Sequence, residues 1–593
     1  MEKTDLSFMF LKKGLAAGRD LDLVLRVETP ARTSEGARKP ADLALVLDRS
    51  GSMQGRKIIY ARQGAAAAVG LLGPEDQASL VQFDDRVDLL QPLTPAGRAG
   101  ALQAAIAGIE PRGNTDLHGG WAAGADSLGD GEPGRGARRV VLLTDGLANH
   151  GVTDPGTIAA KVAEAARRGI ATSALGIGED FNEELLEAVA RAGDGSYTFV
   201  ESPDQLPAFF EAELAGFANL AGREVRLGLA PGPGIQIVSV LNDLPSSNTG
   251  SLVLPNLVAG GRQEIGLTVR ALPGLTARPG EETELLAVRL EWTDPETGER
   301  REMRQAARVR AVEDRDFEAL PADPAAVETL ALLRTARAKR EALNAVDRGD
   351  EAGIALAMDH IRAILAGTPP TERTEREKIS LASLEEDFRL RKMGKFRKNV
   401  HYESYARGHA MDEARLFGHY SRKLLFLVRD RLDLHIGSLA GFPCDAIVNS
   451  RSDEPASGLD EALRAAGGPA FRAACEAIGR LGAGAAAVTG GGDLPVKSVI
   501  HVRVPDWRGG NASEFGALSE CYAACLLVAK ERGFGHVAFP VLGAGGRGFP
   551  VDAAVSLGLS AAAQFLFSNP APRRVTFVCP DGPAAELIWG QLP

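Results

Sequence analysis

Between residues 41 and 220, short apolar runs alternate with longer alanine-rich stretches, and this alternation restricts the fold more than any other feature. The apolar runs include ADLALVLD, ASLVQF, RVVLLTDG and IATSALGIG, and the stretches between them include KIIYARQGAAAAVGLLG and PGTIAAKVAEAARRG. Strands that are apolar on both faces and are separated by helices predict a parallel sheet covered on both sides. We therefore expect a doubly wound α/β domain over residues 41–220.

The pattern changes to a period of two over residues 221–311. Examples are REVRLGLA, IQIVSVLN and RQEIGLTVRAL, with Gly, Pro and Asn at the turns between them. This pattern is typical of half-buried strands and predicts a β-sandwich. The N-terminal arm, residues 1–40, carries the same pattern in LDLVLRVETP. We expect residues 21–30 to pair with the later sheet, so that the α/β domain is inserted within the sandwich.

Residues 312–422 return to helical periodicity and then become highly charged. We expect two or three helices and a mobile connector here. The segment FRLRKMGKFRKN combines six basic residues with two phenylalanines, a composition that suits an acidic groove or RNA. The simpler interpretation, a solvated face of a helix and linker, is the one we favour.

Strands and helices alternate once more over residues 423–593. Strand-like runs include CDAIVNS, SVIHVRV and HVAFPVLGAGG, and they predict a second α/β domain. A chain of 593 residues is several times the size of one hydrophobic core. The predicted fold is therefore multidomain α/β, with a doubly wound domain, a β-sandwich, a helical connector and a C-terminal α/β domain.

Oxygen-bearing side chains follow the first buried strand of the 41–220 domain. Asp48, Ser50 and Ser52 supply one carboxylate and two hydroxyls within a single turn, and the later segments GNTD and LTDG add Thr115 and Asp145. Ligands of doubly wound sheets bind at the carboxyl ends of strands, where these segments are expected. Hard oxygen ligands in a small cage suit Mg²⁺.

In this order and spacing, the five residues resemble the metal-ion-dependent adhesion site of the von Willebrand factor type A (VWA) family, written DxSxS, then Thr, then Asp in a TDG-like turn. The resemblance implies that Ser50, Ser52 and Thr115 coordinate Mg²⁺ or another divalent cation directly, while Asp48 and Asp145 hold it through waters. It also implies an open coordination position for an Asp or Glu of a partner protein. The alternatives are helix-capping side chains and a catalytic metal, for which the sequence offers no general base.

Five segments of the last domain occur in the order of another family. They are CDAIVN, which ends at Asn449, GLD, which ends at Asp460, then TG with LP, SVIH, and AFP before a glycine loop. Residues 423–593 thereby resemble the macro domain family of ADP-ribose binders. The resemblance implies that Asn449 and its neighbours contact a ribose of ADP-ribose. It also implies that Asp460 matches the acid that activates water in hydrolytic members.

A glycine-rich loop follows the AFP strand and opens the next helix. Its backbone N–H groups and the start of the next helix suit a diphosphate, although such loops also occur as plain strand-to-helix turns. The resemblance assigns this loop to the diphosphate and the distal ribose. Its glycines are Gly543, Gly545, Gly546 and Gly548.

Several departures from the macro pattern favour ligand binding over efficient hydrolysis. Ser438 replaces the Asp that binds the adenine amino group, and Ser452 replaces the second Asn of an Asn-Ala-Ala-Asn segment. The segment DEPAS at 453–457 replaces a Gly-rich stretch, and the expected stacking aromatic falls near Cys579. We therefore expect a domain that binds ADP-ribose, a related nucleotide or no ligand.

Composition restricts the partners. A formal net charge of -11 argues against general affinity for nucleic acid or an anionic membrane. Five cysteines, an odd number, do not form a disulfide framework and fit a reducing cytoplasm. We also expect no apolar stretch approaching the roughly 20 residues that cross a bilayer.

The expected function is a cytoplasmic interaction scaffold. It binds an acidic residue of a partner protein through its metal, and its macro domain binds ADP-ribose or a related nucleotide. The alternative is an ADP-ribosyl hydrolase that acts on an ADP-ribosylated protein selected by the VWA part, with Asp460 as the catalytic residue. A third interpretation, a structural subunit with a vestigial macro fold, predicts no nucleotide binding.

Overall fold

The chain divides into two compact units, Met1–Gly418 and His419–Pro593. The computed structural model describes the following residues: 4–31, 40–96, 99–129, 136–146, 148–178, 181–200, 206, 209–210, 213, 219–273, 277–295, 297–408, 423–451, 458–482, 484–507, 512–580 and 582–592.

The first unit begins with two antiparallel strands and continues into a doubly wound domain. The strands are β1 (Asp5–Phe10), β2 (Asp20–Glu28), β3 (Asp42–Asp48), β4 (Gln77–Phe83), β5 (Val87–Pro95), β6 (Arg138–Thr144), β7 (Ile170–Ile177) and β8 (Asp194–Val200). The helices are α1 (Arg56–Leu71), α2 (Ala99–Ala107), α3 (Leu117–Ser127), α4 (Pro155–Arg167) and α5 (Glu183–Ala192). Six strands form one sheet in the order β5-β4-β3-β6-β7-β8, and only β5 runs antiparallel to its neighbour.

Helices cover both faces of this sheet because its strands are apolar on both sides. Leu45 and its alternate neighbours in β3 pack in one core cluster with α1 and α2. Val46 faces the other way, toward α3, where a Cβ added to Gly124 would lie 2.3 Å from a Val46 methyl. The glycine lets the helix approach the sheet closely. The predicted doubly wound arrangement is confirmed.

Two further sheets of the first unit form the sandwich. The added strands are β9 (Leu220–Pro231), β10 (Ile235–Val240), β11 (Leu252–Val253), β12 (Leu257–Val258), β13 (Arg262–Ala271), β14 (Glu282–Thr293) and β15 (Arg300–Arg310). One sheet has the order β1-β2-β13-β10 and the other β11-β9-β14-β15, with β12 also on β9. Strand β2 pairs antiparallel with β13 along its whole length. The doubly wound domain therefore lies in the chain between two strands of one sandwich, whose core both sheets share.

Helices follow the sandwich. They are α6 (Asp314–Ala319), α7 (Pro324–Asp347), α8 (Glu351–Ala366), α9 (Glu372–Arg389) and α10 (Met393–Gly408). The prediction of a charged connector after two or three helices is wrong for residues 372–408, which form α9 and α10. Residues 409–422 of the expected connector lie outside the described residues.

Several charged side chains of these helices are buried in ion pairs. The Lys339 ammonium, fully buried, lies 2.5 Å from a Glu377 carboxylate oxygen and also pairs with Glu403. Lys398, within FRLRKMGKFRKN, lies 2.8 Å from Glu183 of the doubly wound domain. The interpretation of that segment as a solvated face is therefore wrong for Phe396, Lys398 and Asn399, which are buried. Arg389, Arg391 and Lys392 of the same segment are exposed, as that interpretation predicts.

The second unit is a mixed six-stranded sheet with helices. Its elements are β16 (Leu432–Ile436), β17 (Cys444–Ser450), α11 (Leu459–Ala466), α12 (Gly468–Ala477), β18 (Ala486–Gly490), β19 (Val496–Val502), α13 (Ala512–Glu531), β20 (His536–Phe539), α14 (Val551–Ser568), β21 (Arg574–Cys579) and α15 (Pro583–Gln591). The strand order is β16-β21-β20-β17-β19-β18, with β18 antiparallel to β19. All five cysteines are free.

Among the described residues, helix α14 alone is long and apolar enough to cross a membrane, by length and composition. The sequence-based expectation overlooked this 18-residue helix. Seven of its residues, including Leu559 and Leu566, are buried within the second unit. Packing in an α/β core accounts for its apolar composition.

Candidate functional site

Asp48 ends β3, at the centre of the doubly wound sheet, and its carboxylate is fixed by two hydrogen bonds. The backbone N–H of Ser50 donates to Oδ1 over 2.8 Å, and the Thr144 hydroxyl donates to Oδ2 over 2.5 Å. Thr144 ends β6, the neighbouring strand. The first and last loops of the predicted metal site therefore meet at Asp48.

The hydroxyl groups come from two loops that are tied together. Ser50 Oγ lies 3.0 Å from Ser52 Oγ, and the backbone N–H of Gly51 donates to the carbonyl of Gly113 over 3.0 Å. The second loop carries Thr115, which is buried, whereas Ser52 is exposed. The hydroxyl cluster is therefore open to solvent on the Ser52 side.

Asp145 brings a second buried carboxylate to the same place. Its Oδ2 accepts a hydrogen bond from the Lys57 ammonium over 3.1 Å, whereas its buried Oδ1 accepts none from a described residue. Burial raises the pKa of Asp48 to about 6, and the charge of Asp145 contributes to this shift. Two carboxylates close together in a buried site are a setting that a cation stabilises.

The donor set fits a hard divalent cation. The five predicted residues lie on three adjoining loops at the carboxyl end of the sheet, and they offer only oxygen atoms. Among the described residues, no group of three or more His, Cys, Asp and Glu side chains is arranged to hold a metal ion. A metal site here would depend on hydroxyl ligands, with Asp145 Oδ1 as an acceptor that receives no hydrogen bond from the described part of the chain.

In the second unit, Asn449 near the end of β17 is the centre of a buried group of hydrogen-bonded polar side chains. Its Nδ2 donates to Asp460 Oδ1 over 2.7 Å and lies 3.2 Å from His501 Nδ1. The Nε2 of His501 lies 2.9 Å from the hydroxyl of Thr489. Asn449 Oδ1 is buried and has no hydrogen-bond partner among the described residues. This oxygen is a suitable acceptor for a ligand hydroxyl.

The electrostatics of these hydrogen-bonded side chains define which atoms donate and which accept. Burial, followed by the positive charge of Arg451, lowers the pKa of His501 to about 4, so the ring is neutral at pH 7. A neutral ring that accepts from Asn449 at Nδ1 carries its hydrogen on Nε2 and donates it to Thr489. Both hydrogens of the Asn449 amide group are thereby used, which fixes the direction of its oxygen.

Asp460, in the first turn of α11, is fully buried. Its Oδ1 accepts from Asn449, and its Oδ2 lies 3.2 Å from Arg464 Nη2. The guanidinium and the amide together fix the orientation of the Asp460 carboxyl group. Sequence analysis did not identify Arg464, although its position four residues after Asp460 on one helix places the two on the same face.

The glycine loop lies between β20 and α14. Gly543 and Gly548 have φ angles of +88° and +77°, which favour glycine over other residues. For Gly545 and Gly546, no described atom lies within 4 Å of the position that a Cβ would take. The loop therefore has open space beside its backbone, directly before the start of a helix.

The positions that depart from the macro pattern are partly described. Ser438 begins a single turn of 3-10 helix after β16, and Cys579 is buried at the end of β21. Ser452 and residues 453–457 lie outside the described residues. Sequence analysis did not single out Lys57, His501 or Thr489 as site residues, because no spacing rule relates them to Asp145 or Asn449.

Comparison with known proteins agrees with this division of the chain. Residues 42–212 match the family model described as von Willebrand factor type A domain, and residues 448–557 match the one described as Macro domain. A solved structure, a von Willebrand factor type A protein from Catenulispora acidiphila, is similar with a TM-score of 0.50 and 20% identity. The similarity covers 64% of this chain and 90% of that one. At this identity it supports the fold alone.

Curated relatives match the second unit. An O-acetyl-ADP-ribose deacetylase from Enterobacter sp. (strain 638) is 34% identical over 166 residues, which cover 27% of this chain and 92% of the relative. Another from Salmonella gallinarum (strain 287/91 / NCTC 13346) is 36% identical over 163 residues, covering 26% and 91%. The chain belongs to the macro domain family through its second unit, and its first unit contains a von Willebrand factor type A domain.

Proposed function

We propose that this protein is an interaction scaffold that binds an acidic residue of a partner protein through a divalent cation, preferably Mg²⁺, held by the VWA domain. The observation that carries the proposal is Asp145 Oδ1, a buried carboxylate oxygen to which no described residue donates a hydrogen bond, in the same site as the hydroxyl cluster. Ser50, Ser52 and Thr115 would hold the cation directly, and Asp48 and Asp145 would hold it through water.

The composition of the site supports binding rather than metal catalysis. Three of the five oxygen donors are neutral hydroxyls, so a bound cation supplies an electrophilic position for a partner carboxylate. The exposure of Ser52 leaves that position accessible to another protein. Both oxygens of Asp48 already accept hydrogen bonds, so Asp48 is poorly suited to act as a general base.

A retention experiment tests the scaffold role. Immobilised full-length chain is exposed to lysate of the source organism in Mg²⁺ or in EDTA, and retained proteins are compared with those on Ser50→Ala/Ser52→Ala. Ser556→Ala, an exposed serine of the second unit, is the matched control. We expect wild type and control to retain proteins in Mg²⁺ alone, and the double variant to retain none. Retention that is unaffected by both EDTA and the double variant would contradict the proposal.

For the macro domain we propose binding of ADP-ribose or a related nucleotide. Asn449 Oδ1, which accepts no hydrogen bond from a described residue, and the open glycine loop support this, together with relatives named for O-acetyl-ADP-ribose. Calorimetric titration of full-length chain with ADP-ribose should give micromolar binding that Asn449→Ala weakens. Undetectable heat with folded wild-type chain would favour a vestigial macro fold.

The second candidate is a hydrolase that removes ADP-ribose from a protein or the acetyl group from O-acetyl-ADP-ribose. The named activity of the relatives and the Asn449–Asp460 hydrogen bond favour it. In this role Asp460 would act on water as a general base. Full-length chain and Asp460→Ala are each incubated with O-acetyl-ADP-ribose or an ADP-ribosylated protein. Turnover by wild type that the variant lacks would support the enzyme; equal or absent turnover would favour binding alone.

A further inference from the structure

A lysine ammonium is already inserted into the carboxylate cluster of the VWA domain. Lys57 lies in the first turn of α1, and its Nζ is 3.1 Å from Asp145 Oδ2. Asp145 is fully buried, and the lysine side chain is 19% exposed. The ammonium therefore neutralises charge inside the site rather than at its surface.

The path of this side chain is shaped by the backbone. The stem of Lys57 passes Gly178, which follows β7. A Cβ on Gly178 would lie 2.7 Å from Lys57 Cε and 3.2 Å from Cδ. Gly178 also has a φ of +85°, a conformation that side chains other than glycine rarely adopt. A slot without a side chain thus lets the lysine reach Asp145.

The charges within the site have two consequences. The Lys57 ammonium holds one positive charge against Asp145, one of the residues of the proposed cation site. A like charge held nearby weakens binding of the cation, and the same charge favours an anionic group that approaches the loaded site.

We propose that Lys57 is the resident cation of this site, which lowers its affinity for divalent metal and increases the attraction of the loaded site for a carboxylate. The inference rests on the proposed metal site and adds a residue that regulates it. In the metal-free protein, the lysine compensates the charge of Asp145 and ties α1 to the Asp145 loop. Metal binding then depends on ambient divalent concentration instead of being permanent.

Calorimetric titration of metal-stripped full-length chain with MgCl₂ tests this inference. Lys57→Met preserves the apolar stem and removes the charge, and Lys57→Gln is the second variant in case the first does not fold. Lys161→Met, at an exposed lysine of α4, is the matched control. Melting temperatures in EDTA and in Mg²⁺ give a readout that needs no partner or substrate.

We expect Lys57→Met to bind Mg²⁺ on the order of 10-fold more tightly than wild type and to melt at a lower temperature in EDTA, with Lys161→Met unchanged in both. A variant that folds only in Mg²⁺, or one that binds Mg²⁺ when wild type does not, also supports the inference. Wild-type binding with equal or weaker binding by both Lys57 variants would overturn the inference alone. If neither wild type nor either variant bound Mg²⁺, the proposed metal site would fail together with it.

Discussion

His501 makes the stability of the second unit depend on pH. The ring is buried between Asn449 and Thr489, and burial is the main cause that lowers its pKa from 6.5 to about 4. Between pH 6.5 and about 4, the unfolded chain therefore binds a proton at His501, whereas the folded unit does not. The stabilising contribution is complete above pH 6.5 and is lost as the pH falls toward 4.

The size of the effect follows from the two pKa values. One unit of difference corresponds to about 1.4 kcal/mol, and the proton taken up by the unfolded chain at pH 5 lowers the free energy of unfolding by about 2 kcal/mol. His501→Gln keeps an N–H group near Thr489 and removes the titration. Between pH 7.5 and 5, wild type should therefore lose about 2 kcal/mol more than the variant.

Hydrogen exchange followed by mass spectrometry on full-length chain measures this locally. Peptides that cover β19 give the opening free energy at each pH after correction for the intrinsic exchange rate. His360→Gln, at an exposed histidine of α8, should follow wild type. Parallel pH profiles for wild type and His501→Gln would refute the reasoning, because they would mean that the folded ring titrates normally.

Two other substitutions test a buried ion pair of the first unit and the glycine loop of the second. Lys339→Met leaves Glu377 and Glu403 buried without their ammonium and should lower the stability of the first unit by roughly 3–5 kcal/mol, seen as a lower urea midpoint; a midpoint like that of Lys161→Met would contradict this. Gly543→Val should abolish ADP-ribose binding in calorimetry, because its φ is +88° and its Cβ would lie 3.0 Å from Phe549. Gly516→Ala, on an exposed helix position, should bind normally.

Some features of the fold, and the residues of the proposed metal site, were identified from local patterns. The run ALVLD is apolar on both faces, which is the pattern of a central parallel strand, and it forms β3 in the middle of the sheet. The same pattern correctly placed Asp48 at a strand end. Thr115 was also expected after a strand, but its segment lies between α2 and α3. Parallel strands end at one edge, so residues distant in the sequence were expected together there.

The helical segment shows where such patterns fail. Its many charged residues predicted solvent exposure, yet Lys339 and Glu403, 64 residues apart, form a buried pair. The sequence shows which residues are charged, but it does not show which of them form ion pairs in the folded protein. Lys398 adds the same lesson, because its partners Phe181 and Glu183 belong to a different domain of the unit.

The contacts that complete the two sites also depend on three-dimensional arrangement. His501 is the cross-strand neighbour of Asn449 because β17 and β19 pair in one particular register. Lys57 reaches Asp145 because Gly178 leaves a path for its stem. Neither the register of β17 against β19 nor the path of the Lys57 side chain can be recognised in a single sequence.

Anomalous diffraction from crystals of full-length chain soaked in Mn²⁺ tests the metal site most directly, since Mn²⁺ shares the oxygen ligands of Mg²⁺. The account predicts one peak bounded by Ser50, Ser52 and Thr115, about 2 Å from their hydroxyl oxygens, and its loss in Ser50→Ala/Ser52→Ala. A map without a peak at these residues, or a peak that persists in the double variant, would contradict the account.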